Sequence, residues 1–232
     1  MQLHTPNIND FANVDSVGVA LSQYEGEQNH IAILFQYEDV MLLHVGAHKS
    51  PLLEKPTDKF MWLDLGSSFH PIRKQVILAS IQQIAEKNKD SKIRYGLDHG
   101  IYCLDAETGL LNENYDQSIG FTCATFVIEV FLSVGIKLID WDTWPSGEEK
   151  HTEFQKMVFN YLERSKRDNP SSVTEEYLKA QASNIGKARF LPQEVAAATQ
   201  NGAESTKDEV DPIALKIHEQ LTAYTKEYYK NR

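Results

Sequence analysis

The stretch Ser118–Ile136, SIGFTCATFVIEVFLSVGI, sets a cysteine ahead of an almost unbroken apolar run. Cys123, Phe126, Val127, Val130, Phe131 and Val134 recur at helical spacing, and Ile128 and Leu132 make the opposite side apolar as well. A helix that is apolar nearly all round belongs at the centre of a fold. Gly135 suits its C-terminal end. Cys123 falls in the first turn, where unpaired amides favour negative charge. A thiol that only packs can sit anywhere along such a helix. One at the N-terminus is placed where a thiolate is stabilised.

Upstream, four segments have strand character: Ser16–Glu25, His30–Tyr37, Glu38–Gly46 and Lys59–Gly66. The second and third meet at Tyr37–Asp39, which predicts a hairpin with its turn near Glu38 and Asp39. A helix is expected from His70 to Lys89, with Pro71 in its first turn and a stripe of Ile72, Val76, Ile77, Ile81, Ile84 and Ala85. The stretch Ile93–Asp105 is expected to give one or two short strands. Beyond the central helix the chain turns polar and helical. Phe154, Met157, Val158, Tyr161 and Leu162 form an amphipathic stripe, and Ser172 with Glu175 reads as a capping box. Asn201–Val210 reads as a polar, mobile linker, and Asp211 caps a last helix with Pro212 at its first position. That helix is expected to dock by Ile213, Leu215, Ile217, Leu221 and Tyr224, with its terminal tyrosine hydroxyls in water. The expected class is α+β, with a mixed part over residues 1–168 and a helical extension over residues 169–232.

The 232 residues are 41% apolar and 24% charged, with a formal net charge of −10. Apolar content of that order supports a real core. Net negative charge with no basic stripe argues against nucleic acid as partner, since phosphate contacts need clustered Lys and Arg. The N-terminus lacks the basic and apolar regions of a signal peptide, and the apolar run Phe126–Ile139 is broken by Glu129, Ser133, Gly135 and Lys137. A cytoplasmic protein without a membrane span is therefore expected. Cys103 and Cys123 show no metal-ligand spacing, and neither a metal nor an organic cofactor is expected.

A thiol attacks an acyl carbon as thiolate, and a nearby imidazole promotes that state. Helix-terminal amides can then hold the oxyanion. Among eight histidines, His30 opens an apolar strand and His44 lies fourteen positions on, along the paired strand. A tight hairpin brings the two together across the sheet, one as base and one as its orienting partner. His99, beside Asp98, is the competing base, and His48 and His70 are loop positions. Cys103, with no helix start near it, reads as a packed thiol. Asp140, Trp141, Asp142 and Trp144 read as a packed, hydrogen-bonded corner.

The segment NHIAILFQYEDVMLLHVG (Asn29–Gly46), followed downstream by FTCATFV (Phe121–Val127), resembles the circularly permuted papain-like thiol enzymes, relatives of the NlpC-type cell-wall peptidases and of the lecithin:retinol acyltransferase group. The likeness covers residues from about 16 to 145. It implies a small antiparallel sheet packed on a central helix that carries the cysteine. Position by position, it makes Cys123 the nucleophile, His30 the base and His44 the orienting third residue. Gln117 stands six residues before Cys123, the spacing papain uses for its oxyanion glutamine. Lys49–Asp90 holds an extra helix or a long insertion relative to the family, and the C-terminal helices have no counterpart in it.

The implied function is that of a cysteine hydrolase, a thiol protease or amidase. It would cleave a peptide or isopeptide bond, such as one in cell-wall peptide, through a thioester. Two alternatives use the same scaffold. One is acyl transfer to another acceptor. The other is a non-enzymatic module whose C-terminal helices bind a protein partner.

Overall fold

Five antiparallel strands form one sheet: β1 (Val17–Tyr24), β2 (Gln28–Gln36), β3 (Val40–His44), β4 (Leu52–Glu54) and β5 (Met61–Asp64), in the spatial order β4-β3-β2-β1-β5. The computed structural model describes residues 2–24, 28–46, 52–88, 93–105, 107–112, 115, 118–169, 173–202 and 204–230. Strict alternation along the strands divides the core in two. Val19 and Leu21, Ile31, Ile33 and Phe35, Leu43, and Met61 and Leu63 point to one face, into the main cluster. Ala20, Ala32 and Leu34, Leu42 and Trp62 point to the other, where Phe11 and Val14 of the N-terminal segment cover them. A sheet buried on both faces needs no polar alternation, which is why β2 reads as a continuous apolar run. The hairpin turn falls where expected, with the Tyr37 amide donating to the Asp39 carbonyl at 2.8 Å.

Six helices complete the α+β fold: α1 (Pro71–Asn88), α2 (Cys123–Ser133), α3 (Glu149–Asp168), α4 (Glu175–Ala182), α5 (Pro192–Asn201) and α6 (Lys207–Lys230). The central helix α2 lies on β2 and β3 and also touches α5, and every residue from Cys123 to Leu132 is buried. Gly135 takes a left-handed φ of 70° just past its end, and the Ile136 amide donates back to Phe131, an arrangement that satisfies the last carbonyls. Helices α5 and α6 pack on β1, and α5 also on β2. Val195 to Ala198, Ile217 and Leu221 belong to the same apolar cluster as the sheet and α2, so the core runs without a break through the C-terminal helices.

Several elements differ from the sequence expectation. In α1, Ile77, Ile81, Ile84 and Ala85 are buried, but Ile72 and Val76 face solvent, because the helix buries only its inner third against β1 and β2. In α3, Met157 is exposed while Val158 and Leu162 are buried. Ile93–Asp105 adds no strand to the sheet and makes only isolated bridges, Arg94 with Gly120 and Leu104 with Leu111. The β4 strand, which the sequence reading did not find, lies inside the segment Lys49–Asp90. Thr174 caps α4 by accepting from the Tyr177 amide, whereas Ser172 lies outside the described residues.

Asn201–Val210 is not a linker. Asn201 ends α5, the Ser205 amide donates to Leu138 while its carbonyl accepts from Asp140, and Val210 is fully buried. Helix α6 therefore starts five residues earlier than expected, at Lys207 rather than Pro212. The Thr206 amide and hydroxyl both donate to the Glu209 carboxylate, and the Pro212 ring sits in the second turn rather than the first. Its buried stripe is Val210, Ala214, Ile217, Leu221 and Thr225, with Leu215 exposed. The Tyr224 hydroxyl donates to the Asp58 carbonyl in an exposed hydrogen bond.

The exit of β5 docks tightly on α5. The Gly66 amide donates to Thr199 at 3.0 Å, and a Cβ at Gly66 would stand 2.0 Å from the Gln200 carbonyl oxygen. Backbone, not a mobile side chain, blocks the methyl. Gly66→Ala is expected to destabilise the protein by about 1–3 kcal/mol or more, measured as a lowered urea midpoint at constant slope. An unchanged midpoint would mean that α5 does not hold the sheet this closely.

Candidate active site

Thr122 caps α2: its hydroxyl accepts from the Thr125 amide and the Thr125 hydroxyl accepts from the Thr122 amide, a reciprocal box that fixes where the helix begins. Cys123 is therefore the first helical residue. Its sulfur faces the amides of Ile31, Ala124 and Cys123 itself, and Arg189 lies within electrostatic reach. These favour the thiolate, yet burial outweighs them and pushes the thiol pKa up. The sequence reading expects a thiolate at the helix start. In the folded site the resting thiol is neutral, because the sulfur is shut away from water.

His30 and His44 meet as the hairpin predicts. His30 Nε2 is 2.9 Å from His44 Nδ1, with the two rings close to perpendicular. His44 Nε2 in turn lies 3.2 Å from Oε1 of Glu54 on β4, a partner the sequence reading did not find. Nothing in the local sequence marks Glu54, since β4 pairs His44 with Leu52 only once the sheet is assembled. Burial, then His44, then the Lys59 ammonium hold His30 down to about 3. His44 is also lowered, chiefly by burial, against the upward pull of Glu54.

The tautomers follow from the inventory of donors. A carboxylate only accepts, so His44 donates from Nε2. Neutral His44 then accepts at Nδ1, which makes His30 the donor from its Nε2. Neutral His30 is left with its lone pair on Nδ1, the ring nitrogen nearer its own backbone.

Alternation puts His30 on the side of β2 that carries Ala32 and Leu34, where its ring lies 6.4 Å from that of Phe60. Helix α2 covers the opposite side. Cys123 meets the strand at the amide of Ile31, the residue next to His30. Pairing of β3 with β2 runs only as far as Leu43 with Ile33, and His44 pairs outward with β4, so the two strands part beside this amide. The structure thus joins His30 to His44 directly, and brings Cys123 to the backbone between His30 and Ile31. Gln117 and His48 lie outside the described residues.

The remaining singled-out residues have structural surroundings. The His99 ring packs 4.8 Å from Phe190 and 6.2 Å from Trp141. The His70 ring nitrogen faces the Ile72 amide at the start of α1. Trp144 is buried and donates from Nε1 to Glu194, so the Asp140–Trp144 corner is packed and hydrogen-bonded.

Cys103 is buried, its sulfur 3.8 Å from Glu129 Oε2. Glu129, the one charge inside the apolar run of α2, is fully buried, and the Ile101 and Cys103 amides donate to its carboxylate. Left-handed φ angles of 67° at Gly100 and 56° at Tyr102 wind this loop around the carboxylate. A charge isolated in an apolar helix was the signal for this anchor. Glu129→Ala is expected to leave two inward amides unsatisfied at about 1–3 kcal/mol each. Faster hydrogen exchange confined to Ile101 and Cys103 is the readout.

Among the described residues, no group of three or more potential ligands is placed to hold a metal ion, and no helix is long and apolar enough to cross a membrane. Comparison of the chain with family models, with curated proteins and with solved structures returned no match.

Proposed function

We propose that this protein is a cysteine hydrolase that cleaves an amide bond of a peptide through a thioester on Cys123. The observation that carries this reading is the continuous relay Glu54–His44–His30, which ends one residue from the amide that Cys123 faces at the start of a buried helix. A relay of this kind orients a base and fixes its tautomer.

The neutral resting site shapes the mechanism. His30 Nδ1 takes the thiol proton as Cys123 Sγ attacks the carbonyl carbon, and the carbonyl π pair moves to oxygen. In this reading the amides at the head of α2 receive that oxyanion. His30 next gives its proton to the leaving nitrogen, the C–N bond breaks and the amine departs, leaving the acyl group on sulfur. Water, deprotonated by His30, adds to the thioester, and the sulfur leaves and regains its proton. His30 and Cys123 stand on opposite sides of β2, so this transfer requires the His30 ring to reach the sulfur past the strand edge where β3 parts from β2.

The test is reaction with a peptidyl electrophile followed by peptide mapping. Adduct on Cys123 and none on Cys103 is expected. The neutral pair also sets the pH dependence with a small alkylator. Iodoacetamide is expected to react slowly at pH 6–8 and to speed up only above about 8.5, the ordinary thiol pKa. A peptidyl electrophile, which recruits His30 as base, is expected to react at neutral pH. A folded protein inert to every peptidyl electrophile at Cys123 would leave the non-enzymatic scaffold as the reading.

A further inference from the structure

The chain reaches Cys123 through a segment that helix α4 holds by its side chains. Gly120 and Phe121 run beside the stretch from Arg94 to Asp98. The Phe121 amide donates to Arg94 at 2.9 Å, the Gly96 amide to Phe121 at 3.1 Å and the Asp98 amide to Gly120 at 2.8 Å. The next residue, Thr122, is the cap that starts α2. Whatever shifts this pair of segments therefore shifts Cys123, three residues past Gly120.

Two side chains lock the pair. The Asp98 carboxylate accepts from the Gly120 amide at 2.9 Å, from Gln181 Nε2 at 2.6 Å and from Asn184 Nδ2 at 2.8 Å. Gln181 spans both segments: its Nε2 also donates to the Ser118 carbonyl at 2.9 Å, and its Oε1 accepts from the Leu97 amide at 2.6 Å. Gln181 is fully buried and uses both amide protons as well as its oxygen. One turn earlier on α4, the Tyr177 hydroxyl donates to the Tyr95 carbonyl. Bare backbone admits these groups. A Cβ would stand 2.2 Å from the Tyr177 oxygen at Gly120, and 2.6 Å from Gln181 Oε1 at Gly96.

Burying α4 does not require such a network. Val173, Tyr177 and Leu178 already pack it against Leu97, Val158 and Leu162. A fully satisfied buried amide adds a single defined placement rather than area.

We propose that Gln181 and Asp98 are positioning residues for Cys123, a latch by which α4 holds the thiol in reacting geometry. This rests on the hydrolase reading above. It makes α4 part of the catalytic machinery rather than a separable extension. A misplacement of about 1 Å can cost about 10²-fold in rate.

Gln181→Glu keeps the shape and removes both donors. The new carboxylate would face the Asp98 carboxylate and the Ser118 carbonyl, so the latch closes only when the pair takes up a proton. The measurement is the rate of Cys123 labelling by a peptidyl electrophile, divided by the wild-type rate at the same pH. The ratio is expected to be down about 10–10²-fold near pH 8.5 and to recover toward pH 6. His99, Tyr177, Arg94 and Lys187, the other titratable groups around Asp98 among the described residues, are common to both proteins and cancel in the ratio. A ratio near one at every pH, or a loss independent of pH, overturns the latch. Should Gln181→Glu not fold, Asn184→Asp sets a carboxylate against the other Asp98 oxygen and is held to the same ratio. If no peptidyl electrophile labels wild-type Cys123, the hydrolase reading falls and the latch is judged with iodoacetamide near pH 9. There the folded variant is expected to alkylate at Cys123 about tenfold faster than the wild type, because the released segment opens the buried thiol. Equal rates overturn the latch.

Discussion

His30→Ala protein is expected to acylate Cys123 about 10²–10⁴-fold more slowly than the wild type, with its fold intact. The variant removes the base that takes the thiol proton and the acid that protonates the leaving nitrogen. It empties one buried position beside Phe60 near the start of β2, and costs His44 Nδ1 one donor, about 1 kcal/mol. His44→Ala is expected to lose less, because it orients the base and does not touch the reacting atoms. The pH profile separates this from a structural effect. With His30 held down to about 3, the wild-type rate has no inflection at the ordinary histidine pKa of 6.5. A clear loss of rate below pH 6.5 would show that His30 is not buried as described. An unchanged rate in folded His30→Ala would remove it from the mechanism.

Acid is expected to unfold this protein well before its carboxylates titrate. The folded pKa of His30 lies far below its unfolded value of 6.5. Between pH 6.5 and about 3 the unfolded chain therefore takes up a proton that the folded one refuses. The stability His30 contributes is fully present above pH 6.5 and falls by up to about 1.4 kcal/mol per pH unit below it, levelling off near the folded pKa. Burial also lowers His44, His99 and His151, so their losses fall in the same direction. Against a typical total of about 5–15 kcal/mol, such a sum is large. Urea midpoints from pH 7.5 to 4.5 test it. His30→Ala should flatten the curve, since it removes one of the refused protons. A flat wild-type curve across this range would mean that these imidazoles reach water.

The hairpin and the central helix were legible in the sequence because each rests on local patterning. The short apolar run from Ile31 to Phe35, bounded by turn residues, reads as a strand, and its short turn to Val40 sets the register that places His30 against His44. The apolar run that begins at Cys123 marks the helix, hence the place of the thiol in its first turn, while the Thr122 cap that fixes the start was seen only in the structure. The start of α6 was misread for a reason that is also local. Pro212 is a strong first-turn signal, but burial of Val210 and the Thr206–Glu209 cap extend the helix past it. Other features depend on partners far apart in the chain. Glu54 reaches His44 only through the pairing of β4, and Arg189 comes near Cys123 from beyond α4. The protonation state was likewise decided by tertiary structure. Sequence places a thiol at a helix terminus and an imidazole on a neighbouring strand, which by themselves favour an ion pair. Packing removes both groups from water, and the cost of desolvating charge exceeds what the helix amides return, so the pair rests neutral.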